Sequence, residues 1–367
     1  MKIAYLIHSL YNAGGTEKVL SLKADYLAKV CGEEVTIITA AQAGRPVFFP
    51  LDESIRIYDL GIDIEGRRAL PAYKKALSAW LKENPQDIVI SLTGNEILIL
   101  PYLKDGSIKI GELHFSYKDL FAWYGDRIHD RIIRYFRKKE ILWSASRLDA
   151  FVVLTKAEEA GLSRELKNIR QIYNPLSFPV PEKAGLENKR FIAVGRLSRE
   201  KNYSDMIMVW KEVCSQYPEW TLNIFGDGPC RGQLQNLIEV EGLSGNVFLR
   251  GRTSEVEKEM RESSGILLSS DTEAFPMALL EAAACGLPIV TYDCSPGIRE
   301  IVEDGGNGFI VPKGDKKAMA ERCLKLISDC ALRIEMGARS QAIAESFSID
   351  SVMRQWIDLF CELTGKD

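Results

Sequence analysis

Short apolar runs of strand length alternate along the chain with stretches in which apolar residues recur at helical spacing. In the first half the runs are 2–8 (KIAYLIH), 34–39, 55–60, 87–92, 108–113 and 149–155. Between the first two, Val19, Leu22, Tyr26, Leu27 and Val30 follow a helical period, and Gly32 supplies the stop. The segment 174–189 carries three prolines and no periodicity, so it reads as an interdomain linker. The alternation then restarts with runs at 190–196, 220–228, 246–251, 265–270, 288–293 and 308–312, and ends in an all-helical tail from 315 to 364. Strands regularly separated by helices predict βαβ units and parallel sheets. The expectation is an α/β chain of two doubly wound, Rossmann-like domains, 1–173 and 174–348, with their ligand in a cleft beyond the carboxyl ends of the strands.

Composition narrows the function classes. The 367 residues are 46% apolar and 27% charged, ordinary for globular protein, and the formal charge of −4 argues against nucleic acid as a partner. The N-terminus lacks the long apolar core and cleavage site of a secretion signal, and no apolar run reaches membrane-spanning length. The eight cysteines form no Cys-x-x-Cys pair and the histidines number only three, which favours reduced thiols in a cytoplasm and no metal site.

Each candidate motif falls at a strand end. In IHSLYNAGGTEKVL (7–20), Gly14 and Gly15 would let backbone N–H groups approach a phosphate or sugar, although neither the dinucleotide fingerprint nor a P-loop is present. In VGRLSREKN (194–202), Arg196 and Lys201 can straddle a diphosphate, and IFGDGP (224–229) adds a glycine loop at Gly226. His114 ends the strand 108–113 and could hydrogen-bond a sugar or phosphate oxygen. The helix 127–139 mixes Arg127, Arg131, Arg134, Arg137, Lys138 and Lys139 with Ile128, Ile132, Ile133, Tyr135 and Phe136, a composition suited to an anionic membrane surface.

The stretch DTEAFPMALLEAAACGLPIV (271–290) is the most specific. Pro276 marks a helix start, and Gly286 with Pro288 marks its stop, giving a short helix of about ten residues. Its N-terminus suits a phosphate, while Glu273 and Glu281 suit hydroxyls before and behind that phosphate.

Together, the double-glycine loop, the VGR…K opening of the second domain, GDGP and the two glutamates separated by seven residues resemble the retaining GT-B glycosyltransferases of family four. The resemblance covers nearly the whole chain and implies a C-terminal helix, about 349–367, that crosses back to complete the first, acceptor-side domain. It implies that Arg196 and Lys201 hold the donor diphosphate and that Glu273 binds donor-sugar hydroxyls. Phe275, Pro276, Met277 and Ala278 would lie near the sugar and phosphate, and Glu281 would bind the ribose. Gly14 and Gly15 would close on the donor, with His114 at the reacting centre. Residues around Arg250 to Arg252 would line the base, mostly through backbone, and Asn174 would sit at the hinge. Ala274 stands where the family often has glycine. The stretch YDCSPGIREIV (292–302) resembles transferases that build bacterial surface polysaccharides.

These features lead us to expect a hexose or N-acetylhexosamine transferase. Its donor would be a nucleotide sugar, UDP favoured over GDP, and its acceptor a glycan or a polyprenyl-diphosphate-linked sugar at the inner membrane face. No Asp-x-Asp motif stands at a donor-like strand end, so no metal or other cofactor is expected. A nucleotide-sugar epimerase of the same architecture, or a transferase using a soluble acceptor, is the alternative.

Overall fold

The computed structural model describes residues 1–65, 67–92, 94–117 and 127–366. By backbone contacts the chain divides into two compact units, one of Met1–Ser177 with Ile349–Asp367 and one of Phe178–Ser348.

The first unit is built on β1 (Lys2–Ile7), β2 (Glu34–Thr39), β3 (Arg56–Asp59), β4 (Ile88–Ser91), β5 (Ile108–Leu113), β6 (Ala150–Val153) and β7 (Ile169–Gln171). They pair in parallel in the order β3-β2-β1-β4-β5-β6-β7. Its helices are α1 (Gly15–Lys29), α2 (Leu70–Glu83), α3 (Ile128–Ala145) and α4 (Lys156–Leu162). The central strands are apolar on both faces and bury both, as parallel strands must. One face packs under Tyr73 and Leu77 of α2 with Ile141 and Leu142 of α3, the other under Leu20, Ala24 and Leu27 of α1.

Two features depart from the sequence pattern. The short edge strand β7 has no apolar run, because an edge strand needs neither length nor two buried faces. On α1 the buried face is rotated from the expected one: Val30 lies outside the helix and is 65% exposed, while Lys23 is buried.

The second unit contains β8 (Arg190–Val194), β9 (Thr221–Phe225), β10 (Val247–Gly251), β11 (Ile266–Leu268), β12 (Ile289–Tyr292) and β13 (Gly308–Val311), in the order β10-β9-β8-β11-β12-β13. Every pairing is again parallel. Between them run α5 (Tyr203–Gln216), α6 (Arg231–Val240), α7 (Val256–Arg261), α8 (Met277–Ala284) and α9 (Pro296–Ile301), followed by α10 (Lys316–Ser328) and α11 (Cys330–Glu345). In both sheets the order reverses beside the first strand, the switch point at which doubly wound folds bind ligands.

The last helix, α12 (Ile349–Thr364), belongs to the first unit. It inserts Val352, Met353, Trp356, Leu359 and Phe360 into the core beside Ile3, Tyr5 and Leu20. The residue that would end the expected 349–367 segment, Asp367, lies outside the described residues. All eight cysteines are free, and no helix among the described residues is long and apolar enough to cross a membrane.

Candidate functional site

In the second unit, three loops at the carboxyl ends of β8, β9 and β11 are bound together by their backbones. The loop after β8 passes through a single turn at 199–201 and reaches Asn202, whose left-handed φ of 47° turns the chain into α5. Ser269 fastens this turn to the end of β11, its hydroxyl donating to the carbonyls of Lys201 (3.1 Å) and Asn202 (2.9 Å). Asp271 N–H donates to the Glu200 carbonyl at 2.8 Å. The glycine loop after β9 lies against residues 195–197 at the start of the loop after β8, and Gly226, with φ of 139°, would place a Cβ 1.9 Å from the Gly195 carbonyl oxygen. Only glycine fits there.

These constraints bring Lys201 and Glu273 together, Nζ standing 2.6 Å from Oε1. The Ser270 hydroxyl donates to the same carboxylate oxygen at 2.6 Å. The Glu273 side chain is one-tenth exposed and that of Lys201 one-quarter, so the pair is shielded yet open to a ligand. Burial, reinforced by the Glu273 charge, pushes the nearby Tyr203 phenol far up, so it stays a neutral hydroxyl. Four residues past Glu273, α8 begins, shorter than the expected ten residues. Its N-cap is Pro276, which provides no side-chain cap, so the first-turn amides are not capped from within the helix. Phe275 is buried and its ring lies 5.7 Å from that of Phe347, while Met277 and Ala278 are partly exposed. Glu281, on the flank of α8, is 4% exposed. Gly297 at the start of α9 packs on this loop so closely that a Cβ would lie 2.0 Å from the Ala274 carbonyl.

Arg196 is exposed just past β8. Arg250 lies elsewhere in the unit, its Nε donating to Asn223 Oδ1 at 2.6 Å. With Arg190, Phe225 and Arg252 it lines a cavity of about 380 Å³ to which Lys201, Glu273 and Glu281 contribute nothing. The structure therefore unites Lys201, Glu273 and the start of α8, and turns the Arg250 side chain toward Asn223.

In the first unit, Gly14 is the N-cap and Gly15 the first residue of α1. The Glu17 carboxylate folds back to within 2.1 Å of where a Gly14 Cβ would stand. Burial pushes the Glu17 carboxyl up, against a hydrogen bond from Asn12 and the charges of His114 and His8. His114 follows β5 and is buried, with Nε2 3.1 Å from Glu112 Oε2. Glu112 in turn receives a hydrogen bond from Lys23 Nζ at 2.6 Å. Asn174 is buried near the end of this unit's main segment. Sequence pattern did not single out Lys23, Glu112, Glu17 or Ser270. A period-two match between Glu112 and His114 was the one available signal.

Helix α3 carries its basic residues as expected, but part of the charge is spent internally. Lys139 pairs with Glu165 at 2.7 Å, Arg137 with Glu140 at 3.7 Å, and Lys138 lies over the Tyr117 ring. Between these residues Ile128, Ile132, Tyr135 and Phe136 are all more than half exposed.

With this geometry in place, comparison with known proteins defines the class. The family model for glycosyl transferases group 1 matches residues 179–342. An uncharacterized glycosyltransferase of Haemophilus influenzae is 31% identical over 362 residues, covering 97% of this chain and 98% of its own. The chain belongs to the group 1 glycosyltransferases. A Campylobacter jejuni relative, 24% identical over 99% of both chains, is named as an α-1,4-N-acetyl-D-galactosaminyltransferase acting on a GalNAc-containing diNAcBac-PP-undecaprenol. The fold is GT-B: a Staphylococcus aureus TarM mutant in complex with fondaparinux, alpha-GlcNAc-glycerol and UDP superimposes with a TM-score of 0.82 at 16% identity, over 98% of this chain and 100% of that one.

Proposed function

We propose that the chain is a retaining transferase that moves a hexose or N-acetylhexosamine from a UDP-sugar to a glycan acceptor in bacterial surface-polysaccharide assembly. The observation that carries this reading is the Lys201–Glu273 pair at the mouth of α8. It puts one cation, one carboxylate and a set of helix N-terminal amides in one place, the inventory needed to hold a diphosphate beside a polyhydroxyl ring. Lys201 and Arg196 stabilise the charge that develops on the departing diphosphate, where electrostatic catalysis is most effective. Glu273 exchanges its contact with Lys201 for sugar hydroxyls and orients the ring, and Glu281 takes the ribose hydroxyls. The acceptor hydroxyl attacks the face that the diphosphate leaves, and the diphosphate takes its proton. Cations and a helix dipole serve in place of a metal ion or other cofactor.

The donor and acceptor classes draw support from relatives. The TarM complex contains UDP, and a solved Anabaena structure, HepE, was likewise determined with UDP. The Campylobacter enzyme's named acceptor is an undecaprenol-linked saccharide. Transferases recur among the relatives, which favours this reading over an epimerase. On α3, the exposed Ile128, Ile132, Tyr135 and Phe136 between basic residues favour a lipid-linked acceptor reached at an anionic membrane surface.

The test is thermal unfolding with UDP, GDP and ADP in EDTA and in magnesium. A ligand that binds only the folded state raises Tm by mass action. UDP should do so equally in both buffers, and Glu281→Ala should abolish the shift. Absence of any nucleotide shift at millimolar concentration would overturn the donor reading, and a β-anomeric product from an α-linked donor would overturn retention. Flotation with phosphatidylglycerol and phosphatidylcholine vesicles tests α3: equal failure on both would remove the membrane from the proposal.

A further inference from the structure

His114 does not stand alone at the end of β5. Alternation along a strand places Ile110, Glu112 and His114 on one side, toward α1 and α12, and Leu113 on the other, where it joins the opposite core. On that first side the side chains of Lys23 and Glu112 are each 2% exposed, and that of His114 is 3%. Lys23 Nζ donates to one oxygen of Glu112 at 2.6 Å, and the other oxygen faces His114 Nε2 at 3.1 Å. The Trp356 ring of α12 covers the ammonium at 3.6 Å from its centroid. A buried lysine and a buried glutamate in line with a histidine are costly to desolvate, and packing alone does not call for them.

The chemistry of the row fixes a proton. Burial pushes the Glu112 carboxyl up, but the Lys23 charge and the hydrogen bonds from His114 and Lys23 outweigh it and hold it below the usual carboxylate range. An ionised carboxylate only accepts, so Nε2 must be the nitrogen that donates. Three further titratable groups act in the neighbourhood: Glu17 on α1, within electrostatic reach of His114, His8 just past β1, within reach of Glu17, and Tyr5 on β1, within reach of Glu112.

We propose that Glu112, clamped by Lys23, is a positioning residue that holds His114 as the Nε2–H tautomer, so that its Nδ1 lone pair accepts a hydrogen bond from a sugar hydroxyl rather than donating one to a phosphate. This rests on the assignment of His114 to the reacting centre. It adds the class of ligand atom that His114 recognises, and it makes the row from α1 through β5 to α12 part of the catalytic apparatus.

Histidine nitrogen NMR on the labelled full chain tests it. The chain has three histidines, and His114→Asn assigns the signal. The wild type at pH 7.5 should show the neutral Nε2–H tautomer. Removing one partner strands a buried charge, so the primary variant is the double Lys23→Met/Glu112→Leu, in which the tautomer preference should disappear while the protein still melts cooperatively. In the double variant, UDP release from the UDP-sugar that shifts Tm should slow on the order of tenfold in kcat with KM little changed, the scale on which partners orienting a functional histidine act. A wild-type Nδ1–H tautomer, or an unchanged spectrum in a folded double variant, would overturn the proposal. Wild-type turnover in His114→Asn would instead refute the role of His114, and the spectra would still decide whether Glu112 sets its tautomer.

Discussion

Lys201 and Glu273, far apart in sequence, meet at 2.6 Å between the ends of two neighbouring strands, β8 and β11. A part-exposed ion pair of this kind contributes little to stability, typically no more than about 1 kcal/mol. Its value lies in placement, since each partner holds the other where a diphosphate and a sugar ring would be gripped. Lys201→Ala should therefore lower turnover about a hundredfold or more, on the scale of one lost transition-state donor. Steady-state assays beside thermal melts check this: wild-type turnover, or a loss of activity matched by a loss of folding, would sink the role.

Gly226 and Gly232 make a paired prediction about the glycine loop. At Gly226 a methyl group would strike the Gly195 carbonyl at 1.9 Å with φ of 139°, whereas at Gly232 in α6 a Cβ meets open space. Gly226→Ala should cost about 2 kcal/mol or more, as overpacking at a strained backbone does. Gly232→Ala should stabilise by about 0.5–1 kcal/mol through helix propensity. Urea midpoints of the two variants, read against the wild type, should move in opposite directions.

Among the described residues the alternation of apolar runs with helical periods disclosed every strand except the three-residue β7, which has no apolar run; it found even the exposed edge strand β3, through Ile55, Ile57 and Tyr58. It also located the loops, since strand ends are where the pattern breaks. Buried charge was not legible. Lys23 and Glu112 each look like surface residues in a one-dimensional pattern, and only the crossing of α1 over β5 shows that they neutralise one another. The same reason explains Ser270, whose bond to Glu273 depends on the turn between them. Nor was the Arg250 side chain's bond to Asn223 legible, since it depends on the pairing of β9 with β10.

Glu96 predicts a pH dependence. It is 2% exposed; Ser91 and the Gly94 amide donate to Oε1, and among the described residues Oε2 has no hydrogen-bond partner. Burial, the leading cause, pushes its carboxyl up. A carboxyl raised in the folded state is protonated there while the unfolded chain has already lost its proton. Stability therefore falls as pH rises from the unfolded value near 4.3, and the cost persists at pH 8. Glu96→Gln keeps the accepting oxygen and removes the charge. It should raise stability at pH 8 by about 1 kcal/mol, a few degrees in Tm, and make no difference at pH 4. Melting curves across that range would contradict this if the variant were destabilised at pH 8 or if its effect did not change with pH.

Cys294 lets the electrostatics of the proposed donor site be read without a substrate. It lies in the loop between β12 and α9 and is only partly buried. Its thiol is nevertheless pushed up to about 12, by burial first and then by the Glu273 charge, with Lys201 opposing. At pH 8 the reactive thiolate is then only about one part in ten thousand, and alkylation follows the thiolate. Iodoacetamide at pH 8 should label the exposed Cys330 quickly and Cys294 far more slowly. Lys201→Ala should suppress Cys294 labelling further, and Glu273→Gln should accelerate it, because the carboxylate is the charge that disfavours the thiolate. Peptide mass spectrometry after timed quenching measures both. Equal labelling of the two cysteines in the wild type, or no response to Glu273→Gln, would show that the Lys201–Glu273 pair does not set the field at this loop.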